Sequence, residues 1–182
     1  MRNVLSFFFL ALCSFSYAQH SEYFLDRTKG ITPSDTSSVE RYYKNGIVKE
    51  AGTTLTYKMP EYTYHKKYGE YKTYYKDGAL KSSVEYDRLG NPLSAVFYNN
   101  NGTTWWKSKT LEIDLAISDP KKYFLSDRPV ILTKWNKEMK YGYDIEGMYI
   151  RSEGKTINGT KAEIWKVYDE EGRLMGEIDH SK

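Results

Sequence analysis

A tyrosine followed four residues later by a glycine recurs along this chain, and at its centre the pair repeats every twelve residues. Between Gly69 and Gly102 three such pairs follow one another. The six pairs in the chain are Tyr42 with Gly46, Tyr74 with Gly78, Tyr86 with Gly90, Tyr98 with Gly102, Tyr143 with Gly147 and Tyr168 with Gly172. Because the 182 residues contain only 18 tyrosines and 13 glycines, chance predicts about one pair, and the sequence is that of a repeat protein.

The repeat unit corresponds to one β-strand and one tight turn. Leu80, Ser82 and Val84 alternate with Lys81 and Ser83, as in a strand with one buried face. A strand of about six residues, together with its turn, accounts for the period. The glycine supplies the backbone conformation that the turn needs, and the tyrosine is expected to end the strand and pack over the turn. Successive strands joined in this way predict an all-β fold, an elongated antiparallel meander of β-hairpin repeats.

The repeat domain is predicted to span residues 39–182, with a less regular segment at about 106–136. In that segment Leu111, Ile113 and Leu115 alternate with acidic residues, which predicts an amphipathic strand. A single helical turn is expected from Pro120 to Leu125. Because no clear repeat unit stands in this segment, we interpret it either as an insertion or as a strand that covers the sheet.

Residues 1–18 have the features of a secretory signal peptide. Arg2 supplies a positive start, Val4 to Leu12 form an apolar run too short to span a bilayer, and Ser16 and Ala18 are small residues at a cleavage site. Cleavage there predicts an exported protein of the periplasm or cell envelope, or a secreted one, without a transmembrane segment. A buried N-terminal strand is the structural alternative.

Two further expectations concern the N-terminal region. Cys13, the only cysteine, offers acylation of a lipoprotein as an alternative, but Leu12 stands before it where such a signal requires a small residue. Residues 19–38 are polar and lack periodicity, which predicts a linker that tethers the domain. A short edge strand at Glu22 to Leu25 is the alternative for part of that linker.

No residue set in the sequence carries recognisable catalytic or cofactor chemistry. None of His20, His65 and His180 has a cysteine, histidine or carboxylate at ligand spacing, so no metal is expected. Glu112 and Asp114 share one strand face, which is more simply its solvent side than a catalytic pair. Since phosphate-loop and nucleophile motifs are also missing, the sequence predicts a non-enzymatic protein without a cofactor. The formal net charge of +3 is spread along the chain and does not indicate a nucleic-acid partner.

Four aromatic residues are candidates for a binding surface, namely Tyr62, Tyr64, Trp105 and Trp106. Aromatic faces near lysines suit a glycan, peptidoglycan or peptide ligand. Cross-strand aromatic pairs that hold a thin sheet together are the favoured structural alternative. Because adjacent residues of a strand point to opposite faces, at least one of the two tryptophans is expected to be exposed.

The unit Tyr-x-x-x-Gly-x-Leu resembles the MORN-like repeats of the bacterial YwqK-type family. The best match runs from Gly69 to Leu80 and ends at Tyr86, with weaker matches from Val39 to Lys49 and from Trp165 to Leu174. The resemblance covers roughly residues 39–102 and 141–178. It implies an elongated antiparallel sheet of MORN-like hairpins, and MORN repeats are associated with membranes and protein scaffolding.

These observations predict an exported, non-catalytic repeat protein that serves as a cell-envelope scaffold or as a protein-binding or glycan-binding module. Its expected partner is a protein or another cell-envelope component. One alternative is an immunity or antitoxin-type protein that binds a toxin, as some members of the family are labelled, although a signal peptide argues against a cytosolic toxin. A hydrolase directed at the cell wall is the other alternative.

Overall fold

A computed structural model of the chain describes residues 19–181. The predicted signal peptide at 1–18 and the alternative acylation site Cys13 lie outside the described residues. In chain order the elements are β1 (Gln19–His20), α1 (Glu22–Thr28), β2 (Asp35–Tyr42), β3 (Val48–Lys58), β4 (Thr63–Tyr74), β5 (Leu80–Tyr86), β6 (Pro92–Tyr98), β7 (Thr104–Leu115), a 3₁₀ helix (Pro120–Lys122), β8 (Val130–Gly142), β9 (Gly147–Ile157), β10 (Thr160–Tyr168) and β11 (Leu174–Asp179).

The strands β2 to β11 form one antiparallel sheet in which each strand pairs with its neighbours in the sequence. This order confirms the predicted all-β meander. The exception is β1, which pairs in parallel with the C-terminal half of β7. Neither helix in residues 19–181 has the length and apolar character needed to cross a bilayer.

Five hairpins of the sheet share one turn geometry. In the turn 99–103 the Asn99 N–H donates to the Thr103 carbonyl at 2.8 Å, and the Gly102 N–H donates to the Asn99 carbonyl at 2.9 Å. The same two hydrogen bonds recur in the turns 43–47, 75–79, 87–91 and 169–173. The glycine of each turn has a φ between 80° and 93°, a left-handed conformation that costs glycine little.

Each of these hairpins also carries a β-bulge three residues after its glycine. The register shifts there, so one additional residue stands in the second strand of the pair. The bulge residues are Lys49, Lys81, Leu93, Trp105 and Met175. Because bulges bend a strand and increase its twist, their repetition on the same position of each hairpin curves the sheet.

The pair of Tyr143 with Gly147 does not form this turn, so the repeat prediction is wrong at that position. Gly142 pairs with Gly147 across β8 and β9, and the four residues between them make a different loop. Tyr143 lies in that loop and is 82% exposed. The left-handed conformation is taken by Glu146, with a φ of 48°, instead of by the glycine.

Residues 19–38 are not the polar tether that their composition predicts. They contain β1, α1 and the start of β2, and Glu22 to Leu25 lie in α1 and not in an edge strand. Ser21 caps the helix by accepting the Phe24 N–H at 3.0 Å. The ring of Phe24 is 2% exposed because it packs into the core. The prediction failed because so short a helix, with one core residue, has little apolar periodicity.

The hydrophobic core covers one end of one sheet face, which we call the inner face. It combines residues of α1, β3, the turn 87–91, β7, β8 and the segment 116–129, namely Phe24, Leu55, Tyr57, Leu89, Ile113, Leu115, Tyr123, Phe124 and Val130. The predicted irregular segment 106–136 is therefore mostly regular, since β7 and β8 occupy its two ends. Only residues 116–129 leave the sheet, and they cover it through a 3₁₀ helix, at the predicted helical turn, and not through a strand.

The turn glycines provide a test of the repeat. Replacing Gly102 by alanine should lower the free energy of unfolding by about 1–2 kcal/mol, because alanine is strained at positive φ. No atom lies within 4 Å of the added methyl group, so the cost arises from the backbone alone. Gly176 also has open space but no positive φ, and Gly176→Ala should be neutral or slightly stabilising. If urea unfolding gave Gly102→Ala and Gly176→Ala the same free energy of unfolding, the shared turn geometry would be contradicted.

Candidate functional site

A row of small or short side chains crosses the inner face at right angles to the strands. Its members lie opposite one another in register on five successive strands and are Val84, Ala95, Ser108, Asn136 and Gly154. The neighbouring rows carry larger side chains, so this row forms the floor of a groove. The groove has a volume of about 660 Å³ and continues from the open side of the hydrophobic core.

One wall of the groove is aromatic. Phe97 on β6 lies opposite Trp106 on β7, and both rings are half-buried. The opposite side of the groove carries Tyr86 and Lys134, with the loop 127–129 above them. This arrangement places apolar ring surfaces on one side of a narrow floor and a cation on the other.

Trp165 closes one end of the groove. Its indole lies directly over Gly154, where an added Cβ atom would stand 2.5 Å from the ring. Its indole N–H donates to the Lys155 carbonyl at 2.8 Å, and the Lys161 ammonium lies 3.8 Å from the ring centroid. Since Trp165 is 1% exposed, it forms part of the structure of the groove and offers only an edge to a ligand.

The floor of the groove presents polar groups without protein partners. Asn136 is 3% exposed, and its amide donates to Thr156 Oγ1 at 2.9 Å. The amide oxygen of Asn136 accepts no hydrogen bond from the residues that the structure describes. Lys134 stands between Thr110 and Thr156 in register, and its ammonium forms no ion pair within residues 19–181. Burial lowers the pKa of Lys134, because an ammonium is disfavoured away from water.

Carboxylates contribute little to the groove. Asp127, on the exposed loop, is the only carboxylate among the described residues that line it. The nearby Glu138 is already engaged, since it accepts the Ser152 hydroxyl at 2.7 Å and lies 3.3 Å from the Lys161 ammonium. The groove therefore combines aromatic surface, an amide oxygen, a hydroxyl at Ser108 and an unpaired ammonium.

The predicted tryptophan pair lies at this site, but not in the predicted orientation. Trp106 lines the groove, whereas Trp105 is the bulge residue and is 42% exposed. The bulge interrupts the alternation of faces, and the two ring centroids lie 6.3 Å apart. Trp105 confirms the expectation that at least one of the two tryptophans is exposed, but the regular alternation of faces on which that expectation rested is interrupted by the register shift.

Tyr62 and Tyr64 lie at a second cavity of about 1000 Å³, near α1 and the turn between β3 and β4. Tyr64 stacks on Phe124 at a centroid distance of 5.1 Å, so it extends the core. Tyr62 is 56% exposed. The charged residues that line this cavity are exposed, except Asp119, which is half-buried and accepts a backbone N–H. Among the described residues, the cavity thus lacks a half-buried charged group without a protein partner, and we place the candidate site in the smaller groove.

The tyrosines of the repeat differ in their side-chain contacts: Tyr86 packs edge-on against Tyr71 at a centroid distance of 6.4 Å, and Tyr168 Oη donates to Glu153 at 2.9 Å. Tyr42, at the end of β2, is 56% exposed. The stabilising hydroxyls belong to the next residue in two of the turns: Tyr43 Oη donates to the Tyr74 carbonyl and Tyr75 Oη to the Tyr98 carbonyl, each at 2.7 Å. These hydrogen bonds connect successive turns along one end of the sheet.

Sequence reasoning missed an interaction of His20 with Asp87. His20 Nε2 lies 2.9 Å from Asp87 Oδ2, and Asp87 also accepts the N–H groups of Leu89 and Asn91 at 2.9 and 2.8 Å. The pair joins β1 to the turn 87–91. Both carboxylate oxygens of Asp87 accept hydrogen bonds from within the protein, so we assign the pair a structural role. In residues 19–181 no three His, Cys, Asp or Glu side chains are grouped so that they could hold a metal ion.

The function of the groove has to be inferred from its own chemistry. No protein-family model matches the chain, and neither does any curated protein. A ligand that fits the groove needs a ring-like apolar surface for Phe97 and Trp106 and a donor for the amide oxygen of Asn136. These are requirements that a saccharide meets, because sugar rings stack on aromatic faces and their hydroxyls donate hydrogen bonds.

Proposed function

We propose that this protein is an exported, non-catalytic glycan-binding module of the cell envelope and that the groove is its binding site. The observation that carries the proposal is that Trp106 and Asn136 line the same groove, where the amide oxygen of Asn136 accepts no hydrogen bond from the described residues. Because no buried side-chain nitrogen or oxygen atom of the described residues lacks a partner, this oxygen is accessible from the groove, where a ligand hydroxyl can donate to it. A saccharide hydroxyl bound there gains this hydrogen bond while the sugar ring covers the indole.

A glycan fits this site better than a peptide strand does. Peptides that bind to sheets pair with free backbone groups at a sheet edge. The groove crosses the middle of the sheet, where the backbone groups of β6 to β9 pair with one another, so its floor offers side chains alone. The free edges belong to β2 and β11, away from the aromatic wall.

The non-catalytic part of the proposal is supported by the scarcity of carboxylates. General acid and base catalysis on a glycosidic bond needs two carboxylates that face each other across the substrate. Among the described residues that line the groove only Asp127 is acidic, which argues against the hydrolase alternative. Export rests on the signal features of residues 1–18, and we propose that the repeated hairpins are MORN-like units that serve as the scaffold of the site.

The proposal is tested by isothermal titration of the purified protein with a panel of soluble oligosaccharides from bacterial envelopes. At least one should bind, and Trp106→Ala should weaken its binding by about tenfold or more, because an aromatic anchor in an interface is worth more than about 1 kcal/mol. Trp135→Ala is the matched control and should retain the affinity, because Trp135 precedes Asn136 on β8, points to the other face of the sheet and does not line the groove. Absence of binding to every saccharide, or equal loss in both variants, would contradict the proposal.

A further inference from the structure

We propose that the groove selects acidic glycans and that a sugar carboxylate of the ligand lies against the ammonium of Lys134. This inference rests on the proposed function and adds to it the chemical class of the ligand. It follows from the charge of the groove and from the position of Lys134 relative to the aromatic wall.

The first argument is that Lys134 lacks a counter-charge. Its side chain is half-buried on the inner face, and no carboxylate of residues 19–181 forms an ion pair with it. Burial lowers the pKa of Lys134, because the ammonium loses part of its contact with water. An ammonium in such a position is stabilised by an anion that enters with the ligand.

The second argument is the sign of the surrounding field. The described residues that line the groove include three cations, Arg128, Lys134 and Lys161, and one acid, Asp127. The ammonium of Lys161 forms an ion pair with Glu138 and lies over the Trp165 ring. It is therefore less available to a ligand than the ammonium of Lys134. Lys134 is therefore the cation that remains for an acidic sugar, while Arg128 on the loop adds positive potential at the entrance.

The third argument is spacing. Trp106 and Thr110 are four residues apart on β7, and Lys134 lies opposite Thr110. The backbone positions of the Trp106 row and the Lys134 row are thus separated by about 13 Å in the strand direction, which is across the groove, with Ser108 and Asn136 between them. That length accommodates a disaccharide with one sugar ring on Trp106 and the carboxylate of the next on Lys134.

The test compares carboxylated oligosaccharides with their methyl esters, which keep the sugar rings and remove the charge. The panel contains oligosaccharides of galacturonate, of alternating glucuronate and N-acetylglucosamine, and of muramic acid with N-acetylglucosamine. Isothermal titration of the purified full chain should show that at least one acid binds about tenfold or more tightly than its ester. In Lys134→Met this preference should disappear, with the acid reduced to the affinity of the ester.

The control is Lys107→Met, which removes the same charge from an exposed position on the other face of β7 and should keep the preference. Lys134→Met should unfold at the same or a higher temperature than the original protein, because it replaces a half-buried ammonium that has no ion-pair partner among the described residues with an apolar side chain. If acid and ester bind equally, or if Lys134→Met keeps the preference, the inference is wrong and the proposed function stands. If no saccharide binds, both are wrong.

Discussion

Replacing Phe24 by alanine is expected to lower the free energy of unfolding by about 3–5 kcal/mol, the usual cost of truncating a fully buried phenylalanine. Phe24 is 2% exposed and belongs to the same core cluster as Ile113 and Tyr123. Its ring also stacks on His20 at a centroid distance of 4.9 Å. The variant therefore creates a cavity beneath α1 and weakens the contact that holds the N-terminal region on the sheet. Denaturation with urea, followed by circular dichroism, measures the effect.

Tyr23→Ala is the matched control, because Tyr23 precedes Phe24 in the same helix and is 43% exposed. It should cost less than about 1 kcal/mol, since only an exposed contact with Arg27 is lost. If both variants unfold like the original protein, then residues 19–38 are the tether that their composition predicts, and the packing of α1 on the sheet is wrong.

Trp165→Ala should have an effect of the same size, about 3–5 kcal/mol. The indole is 1% exposed and fills the space above Gly154, so its removal leaves a cavity that the backbone of β9 cannot fill. The Lys155 carbonyl loses a donor at the same time. Because Trp165 closes one end of the groove, the variant is also expected to bind oligosaccharides more weakly.

Ile164→Ala serves as the control for Trp165 because Ile164 is the preceding residue of β10 and is 50% exposed. Its loss should cost less than about 1 kcal/mol and leave binding unchanged. A Trp165→Ala protein as stable as Ile164→Ala would show that β10 does not pack its indole against Gly154.

The central hairpins were predictable because their information is local. In the stretch that holds Gly78, Gly90 and Gly102, strand alternation and turn glycines lie within a dozen residues of one another, and each turn determines the next strand pairing. The pair at Gly147 has the same sequence spacing but a different loop. There the pairing of β8 with β9 extends to Gly142 and Gly147. The four-residue spacing between Tyr143 and Gly147 does not by itself determine that pairing.

The remaining parts depend on contacts between distant segments. Phe24 is buried in the same core cluster as the distant Ile113, and His20 contacts Asp87, which lies 67 residues away. No local signal marks these interactions, since each partner has an ordinary composition around it.

The candidate site was predicted only in its aromatic part. Trp106 was recognised because tryptophans are rare and suited to stacking. Lys134 and Asn136 were not recognised, because a lysine and an asparagine in a polar strand carry no signal of their own. Their role appears only when the register of β7, β8 and β9 places Asn136 between Ser108 and Gly154, so that the floor of the groove and its free polar groups come together.

The most direct test of the binding site is a ¹⁵N–¹H correlation spectrum of the protein, titrated with the tightest-binding oligosaccharide of the panel. The glycan-binding groove predicts that the largest shift changes fall on the amides of Lys134 and Asn136 and on the indole N–H of Trp106. Changes centred on Tyr62 and the cavity beside it, with the groove signals unmoved, would contradict it.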